Sequence, residues 1–129
     1  MVKAVDVSGT TMDEGAYKNI EEGTYNDIPF ASGGVGVDER AKMEMMEKKY
    51  NLKMSFALYS KPYLRDVAAV IKNKAGKVLF DKKCNGPWLF LKLPEGEYEV
   101  MVSYNERKET KNIKVGKKLE TLIFDWKHE

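Results

Sequence analysis

From residue 52 to the end of the chain, hydrophobicity alternates with a period of two. Leu52, Met54, Phe56 and Leu58 interleave with Lys53, Ser55, Ala57 and Tyr59. The pattern recurs at Val67, Ala69 and Ile71, at Tyr98, Val100, Val102 and Tyr104, and at Leu122, Phe124 and Trp126. Period two places alternate side chains on opposite faces of a strand, so each run predicts a half-buried β-strand. Turn-forming residues separate the runs: Lys61–Pro62, Asn73-Lys74-Ala75-Gly76, Asn85-Gly86-Pro87, Pro94-Glu95-Gly96, Asn105–Glu106 and Gly116-Lys117-Lys118. About seven short strands with turns every 8–12 residues predict an all-β, immunoglobulin-like antiparallel β-sandwich. No helix interleaves with these strands, which excludes a parallel α/β sheet. Strands are expected at 52–58, 64–72, 78–81 and 88–93, then from Tyr98 to Tyr104, toward Val115, and over the final apolar run. The run Trp88-Leu89-Phe90-Leu91 is apolar on both faces, so it requires a cover on its second side.

A helix before the first strand is expected to pack on the sandwich. Residues 38–51 begin with Asp38 as N-cap and Glu39 at the positive helix end, and they finish at Asn51. Met43, Met46 and Tyr50 fall at i, i+3 and i+7 and form one apolar stripe, while Ala41 and Met45 point elsewhere. The domain plan is therefore an irregular arm over 1–37, a packed helix over 38–51, and the sandwich over 52–129. In the arm, Val2, Val5 and Val7 suggest a short strand, and Tyr17, Tyr25 and Phe30 are its main anchors.

The 22 basic and 20 acidic residues interleave along the chain. Only three of the basic residues are arginines (Arg40, Arg65 and Arg107). A mixed, lysine-dominated surface argues against a nucleic-acid interface, which concentrates positive charge and uses the bidentate arginine fork. No run is long enough to span a membrane as a helix. No basic-then-apolar leader opens the sequence either.

Leu93-Pro94-Glu95-Gly96-Glu97-Tyr98-Glu99-Val100 resembles the Leu-Pro-x-Gly-x-Tyr-x-Val hairpin of carboxypeptidase-regulatory-like domains, which share the transthyretin-type sandwich. In such a hairpin proline opens the turn, glycine takes a left-handed position and tyrosine re-enters the core. Further segments, Pro29 to Gly36, Asp38-Glu39, Tyr50 to Lys53, Tyr63 to Val67 and Gly86-Pro87-Trp88, are similar to small exported bacterial proteins of that kind. The resemblance implies a fold and a periplasmic or otherwise exported setting, and it implies no activity. The enzymatic transthyretin-like branch, the hydroxyisourate hydrolases, depends on several histidines, an arginine and a Tyr-Arg-Gly-Ser ending. This chain has one histidine and ends Trp126-Lys127-His128-Glu129.

Candidate chemistry is accordingly thin. Ser32-Gly33-Gly34-Val35-Gly36 precedes a helix as a phosphate cradle would, but it lacks a Gly-Lys-Ser/Thr ending, and Asp38 and Glu39 stand where the anion belongs. Met43, Met45 and Met46 suggest thioether ligands for Cu(I), yet Met45 points roughly opposite Met43 on a helix. Cys84 is alone, in a turn-like stretch with flanking lysines, and the one histidine that could serve as its base is His128, next to the last residue. Lys53 and Asp125 lie on strands that a Lys–Asx isopeptide bond could join. No catalytic residue, metal or cofactor is expected. The remaining candidates for a partner or ligand surface are Ser32, Gly33, Gly34 and Trp88. The function expected is a non-catalytic exported module that binds a protein or cell-envelope component. A small-ligand or metal carrier with its site between helix and sheet is the alternative.

Overall fold

A computed structural model describes residues 20–58 and 66–126. The short strand expected at Val2–Val7, Tyr17, the Lys61–Pro62 break, Leu64, Arg65 and His128 lie outside the described residues, as do the side chains of Leu58 and Trp126. In chain order the elements are β1 (Glu21–Tyr25), β2 (Ile28–Gly33), α1 (Val37–Met46), a 3₁₀ turn (Glu47–Lys49), β3 (Leu52–Leu58), β4 (Ala68–Asn73), β5 (Val78–Lys83), β6 (Trp88–Leu91), β7 (Gly96–Tyr104), β8 (Arg107–Val115) and β9 (Glu120–Trp126). One sheet has the order β1-β2-β6-β3-β9 and the other β5-β4-β7-β8. The molecule is an all-β sandwich, with one α-helix among the described residues.

Its core lies between the sheets, where alternation places it. Leu52, Met54 and Phe56 from β3, Leu89 and Leu91 from β6, and Phe124 from β9 meet Ala69 and Ile71 from β4, Phe80 from β5, and Tyr98, Val100 and Val102 from β7. A second, smaller cluster lies on the outer face of the five-stranded sheet. There Met43, Met46 and Tyr50 bury Ala31 and Phe90. Strand β6 is therefore covered on both faces, and the helical stripe is the cover that its apolar pattern requires.

Four features depart from the sequence reading. The last part of the expected irregular arm is a β-hairpin: β1 pairs antiparallel with β2, and β2 pairs with β6. Its turn is Asn26–Asp27, both with positive φ (50° and 65°), the conformation that a two-residue hairpin favours and Asn and Asp tolerate. The helix is capped by Gly36 with no side-chain cap bond, so Asp38 is not its N-cap. The turn after Tyr104, where Glu106 takes the place of the glycine that a tight hairpin favours and a longer or strained turn is expected, keeps two residues. Tyr104 pairs directly with Arg107 across Asn105–Glu106, with Asn105 at φ 55°. Gly96 lies at φ 159°, at the margin of extended backbone, so the left-handed glycine of the expected hairpin is absent. Tyr98 instead holds this corner by donating its hydroxyl to the Pro94 carbonyl.

Six of the seven described strand pairings are antiparallel, and β3–β9 is parallel. The seams between the sheets are bridged by side chains. Asn26 Nδ2 donates to the Leu79 carbonyl at 3.3 Å, and Lys82 pairs with Glu21 at 2.8 Å, which ties β1 to β5. Lys111 on β8 donates to the Ile123 carbonyl on β9 at 2.7 Å. A lysine on an outward-facing carbonyl obstructs edge-to-edge pairing by another chain.

Replacing Met43, which is fully buried, with Ala should lower stability by about 2–4 kcal/mol in urea melts. Met45→Ala, two residues on and solvent-facing, should change it by less than about 0.5 kcal/mol. Equal effects would mean that the helix does not belong to the core.

Candidate functional site

The four candidate residues converge at one end of the five-stranded sheet. Ser32 and Gly33 finish β2, Gly34 follows, and Trp88 opens β6 in direct register with Gly33. Ser32 is buried, and its Oγ accepts a hydrogen bond from the Asn85 backbone N–H at 2.8 Å. A Cβ on Gly33 would meet Ile20 and the Met43 sulfur at 3.1–3.3 Å. Across from it, a Cβ on Gly86 would stand 2.5 Å from the Gly33 carbonyl oxygen, so two backbones touch here and only glycine fits. Gly34 has φ 95°, and a Cβ there would press on the Trp88 ring at 3.3 Å. The glycines are thus explained by close packing.

The loop after β2 is closed by the helix it feeds. Glu39, at the third helical position, reaches back so that one carboxylate oxygen accepts from the Gly34 and Val35 N–H groups at 3.1 and 3.2 Å. Arg40 Nη1 donates to the Gly34 and Val35 carbonyls at 2.9 and 3.0 Å. The amides that a phosphate would need are therefore occupied by an internal carboxylate, which removes the anion-cradle reading and gives the helix entry a cap that Asp38 does not provide.

Trp88 is half-buried. It stacks on Phe90 with centroids 6.0 Å apart, and the Lys53 ammonium lies 4.2 Å from its ring centre. Lys53 also pairs with Glu47 at 3.0 Å, which fastens the 3₁₀ turn to β3. The indole is accordingly packed by Gly34, Phe90 and Lys53, and part of it remains at the surface.

The other candidate chemistries separate on inspection. Cys84 is buried after β5, and loss of solvation pushes its thiol up to about 12 despite the Ser32 hydroxyl and nearby Lys82. Such a thiol stays protonated and is a poor nucleophile. In the β3–β9 register Lys53 faces Thr121 whereas Asp125 faces Ala57, so an isopeptide bond between Lys53 and Asp125 is out of reach. Met43 and Met46 are buried and Met45 is 77% exposed, so the three thioethers do not share a site. Among the described residues no group of three or more His, Cys, Asp or Glu side chains is placed to hold a metal ion. An open groove of about 370 Å³ lies on the other sheet, lined by Lys72, Asn73, Lys74, Glu97, Tyr98 and Asn112 among others.

Two features were not recognised in the sequence. One is a second apolar stripe on α1: Val37 is 73% and Met45 77% exposed, with exposed Ala41 between them. Its signal was present, since these residues recur at i, i+4 and i+8. The other is Asn51, expected to terminate the helix and found instead as a buried, fully bonded amide.

No protein-family model matches the chain, and no curated protein is significantly similar to it.

The raised Cys84 pKa has a definite sign. Protons are held more tightly in the folded state, so the contribution to stability is complete below about pH 9 and is lost as pH rises toward about 12. Urea midpoints should fall over that window more steeply for the parent than for Cys84→Ala. At pH 8 a thiol reagent should label the native protein slowly and the unfolded chain rapidly. Fast native labelling would contradict the burial of this thiol.

Proposed function

We propose that the protein is a non-catalytic β-sandwich binding module of the carboxypeptidase-regulatory-like kind, acting in a periplasmic or otherwise exported setting on a protein or cell-envelope partner. The observation that carries this reading is the solvent face of α1. A helix that buries one apolar stripe against β6 normally presents a polar opposite face. This one presents Val37, Ala41 and Met45 in a row. The helix is also held rigidly, by Glu39 and Arg40 at its entry and by the Lys53–Glu47 pair just past its end. Preorganisation of this sort lowers the ordering cost of association. The setting is inferred from the resemblance of the segments quoted above. No described helix is long and apolar enough to cross a membrane.

The alternative of a small ligand or metal held between helix and sheet has less support. That space is filled by Ala31, Met43, Met46, Tyr50 and Phe90, all buried.

A photoreactive amino acid at position 45, in the full chain expressed in its source cells, should yield a discrete cross-linked adduct that Val37→Glu removes. The same probe at the exposed Lys108 should yield none. Equal adducts from both positions, or an adduct at 45 that survives Val37→Glu, would contradict this reading.

A further inference from the structure

We propose that the end of the sandwich organised around Asn51 is an electrostatic docking surface for an anionic lipid bilayer. This rests on reading the chain as a binding module but uses a different surface from the helix stripe. Three chain segments meet there. Asn51 Nδ2 donates to the Leu93 and Gly116 carbonyls at 2.8 and 3.1 Å, and its backbone N–H donates to the Leu91 carbonyl at 3.0 Å. Each segment carries lysines within three residues of those bonds: Lys48 and Lys49 before Asn51, Lys92 between Leu91 and Leu93, and Lys117 and Lys118 after Gly116. All five are exposed, and among the described residues none forms an ion pair.

The acidic side chains do not cancel this charge. Of the glutamates on the same segments, Glu47 is committed to Lys53. Glu95 and Glu120 remain, and Glu22 on β1 stands near Tyr50, which leaves a surplus of two positive charges. In the neighbouring turns Asp27 and Lys77 carry opposite charges, and Lys74 is paired with Glu97. Positive charge is therefore gathered at one end of the molecule.

The chemistry of the cluster selects the partner. It contains lysine and no arginine, so it offers point charges rather than forks for reading individual phosphates. The aromatics of this corner, Tyr50 and Tyr98, are both buried, so they are not presented for stacking on bases. The lysines sit on separate turns at the end of a sandwich, where they can approach a plane together. Each lysine near an acidic leaflet contributes a favourable increment that salt screens within a Debye length.

The test is flotation of the full chain with vesicles of phosphatidylcholine, alone or with about 30 mol% phosphatidylglycerol, at about 0.05 M and about 1 M salt, where the Debye length shrinks to about 3 Å. Binding should require phosphatidylglycerol and disappear at high salt. Lys92→Glu with Lys117→Glu should weaken it at least about tenfold with an unchanged melting midpoint. Lys83→Glu with Lys108→Glu, the same charge change at the opposite end, should weaken it less than about threefold. Equal binding to neutral vesicles would overturn the proposal, as would equal loss in both double variants. Tighter binding to a single-stranded oligonucleotide than to acidic vesicles would also overturn it. The variant Val37→Glu with Met45→Glu should float normally, which separates failure here from failure of the helix-stripe reading.

Discussion

The arrangement depends on one buried side chain. Asn51 uses its whole carboxamide: Nδ2 donates to two carbonyls, Leu93 and Gly116, and Oδ1 accepts from the Leu93 N–H at 2.9 Å. Its backbone donates to Leu91 and accepts from the Glu120 N–H at 3.0 Å. One residue thus fixes where the helical segment ends, where β6 leaves the sheet and where β9 enters it alongside β3. A buried amide with every group satisfied is specific because any shift of register leaves polar groups unpaired in a dry environment, at about 1–3 kcal/mol each.

From that corner the two-sided burial of β6 follows. With β6 and β3 held in register, Leu89 and Leu91 enter the sandwich while Trp88 and Phe90 face outward, and the outward pair must be covered. The helix covers Phe90 with Met43, Met46 and Tyr50. Trp88 is packed by Gly34, Phe90 and Lys53. The glycines at 33, 34 and 86 let β2, the loop and the β5–β6 connection approach closely enough for this to happen. The helix's own outer stripe, Val37, Ala41 and Met45, stays uncovered.

The sequence was most legible where a single periodicity dominates. The alternations in β3, β4, β7 and β9 correspond to observed elements because burial on one face leaves a period that needs no partner to interpret. Of the expected 38–51 helix, Met43 and Met46 keep their stripe, but the helix ends at Met46 and Tyr50 packs beside them from extended backbone after the 3₁₀ turn. The β1–β2 hairpin was illegible for a local reason. Pro29 and the small residues Ala31, Ser32 and Gly33 break the alternation, and those residues are small because Met43, Ile20 and Gly86 crowd them. At the helix entry Asp38 has the favoured capping residue type, but the backbone folds back so that Glu39 reaches the loop amides instead. The parallel pairing of β9 with β3 could not be read from alternation, which reports faces and not strand direction. The candidate residues Ser32, Gly33, Gly34 and Trp88 were found together, though the packing that explains their types was hidden in contacts across the fold.

The most direct measurement is the stability of Asn51→Asp in urea near neutral pH, with amide exchange followed at Leu93 and Glu120. The replacement keeps the shape and exchanges the donor for an acceptor facing the Leu93 and Gly116 carbonyls. The account predicts a loss of about 3–5 kcal/mol, with protection falling at both amides together. An unchanged midpoint, with Leu93 and Glu120 still protected, would show that this amide does not hold the three segments together.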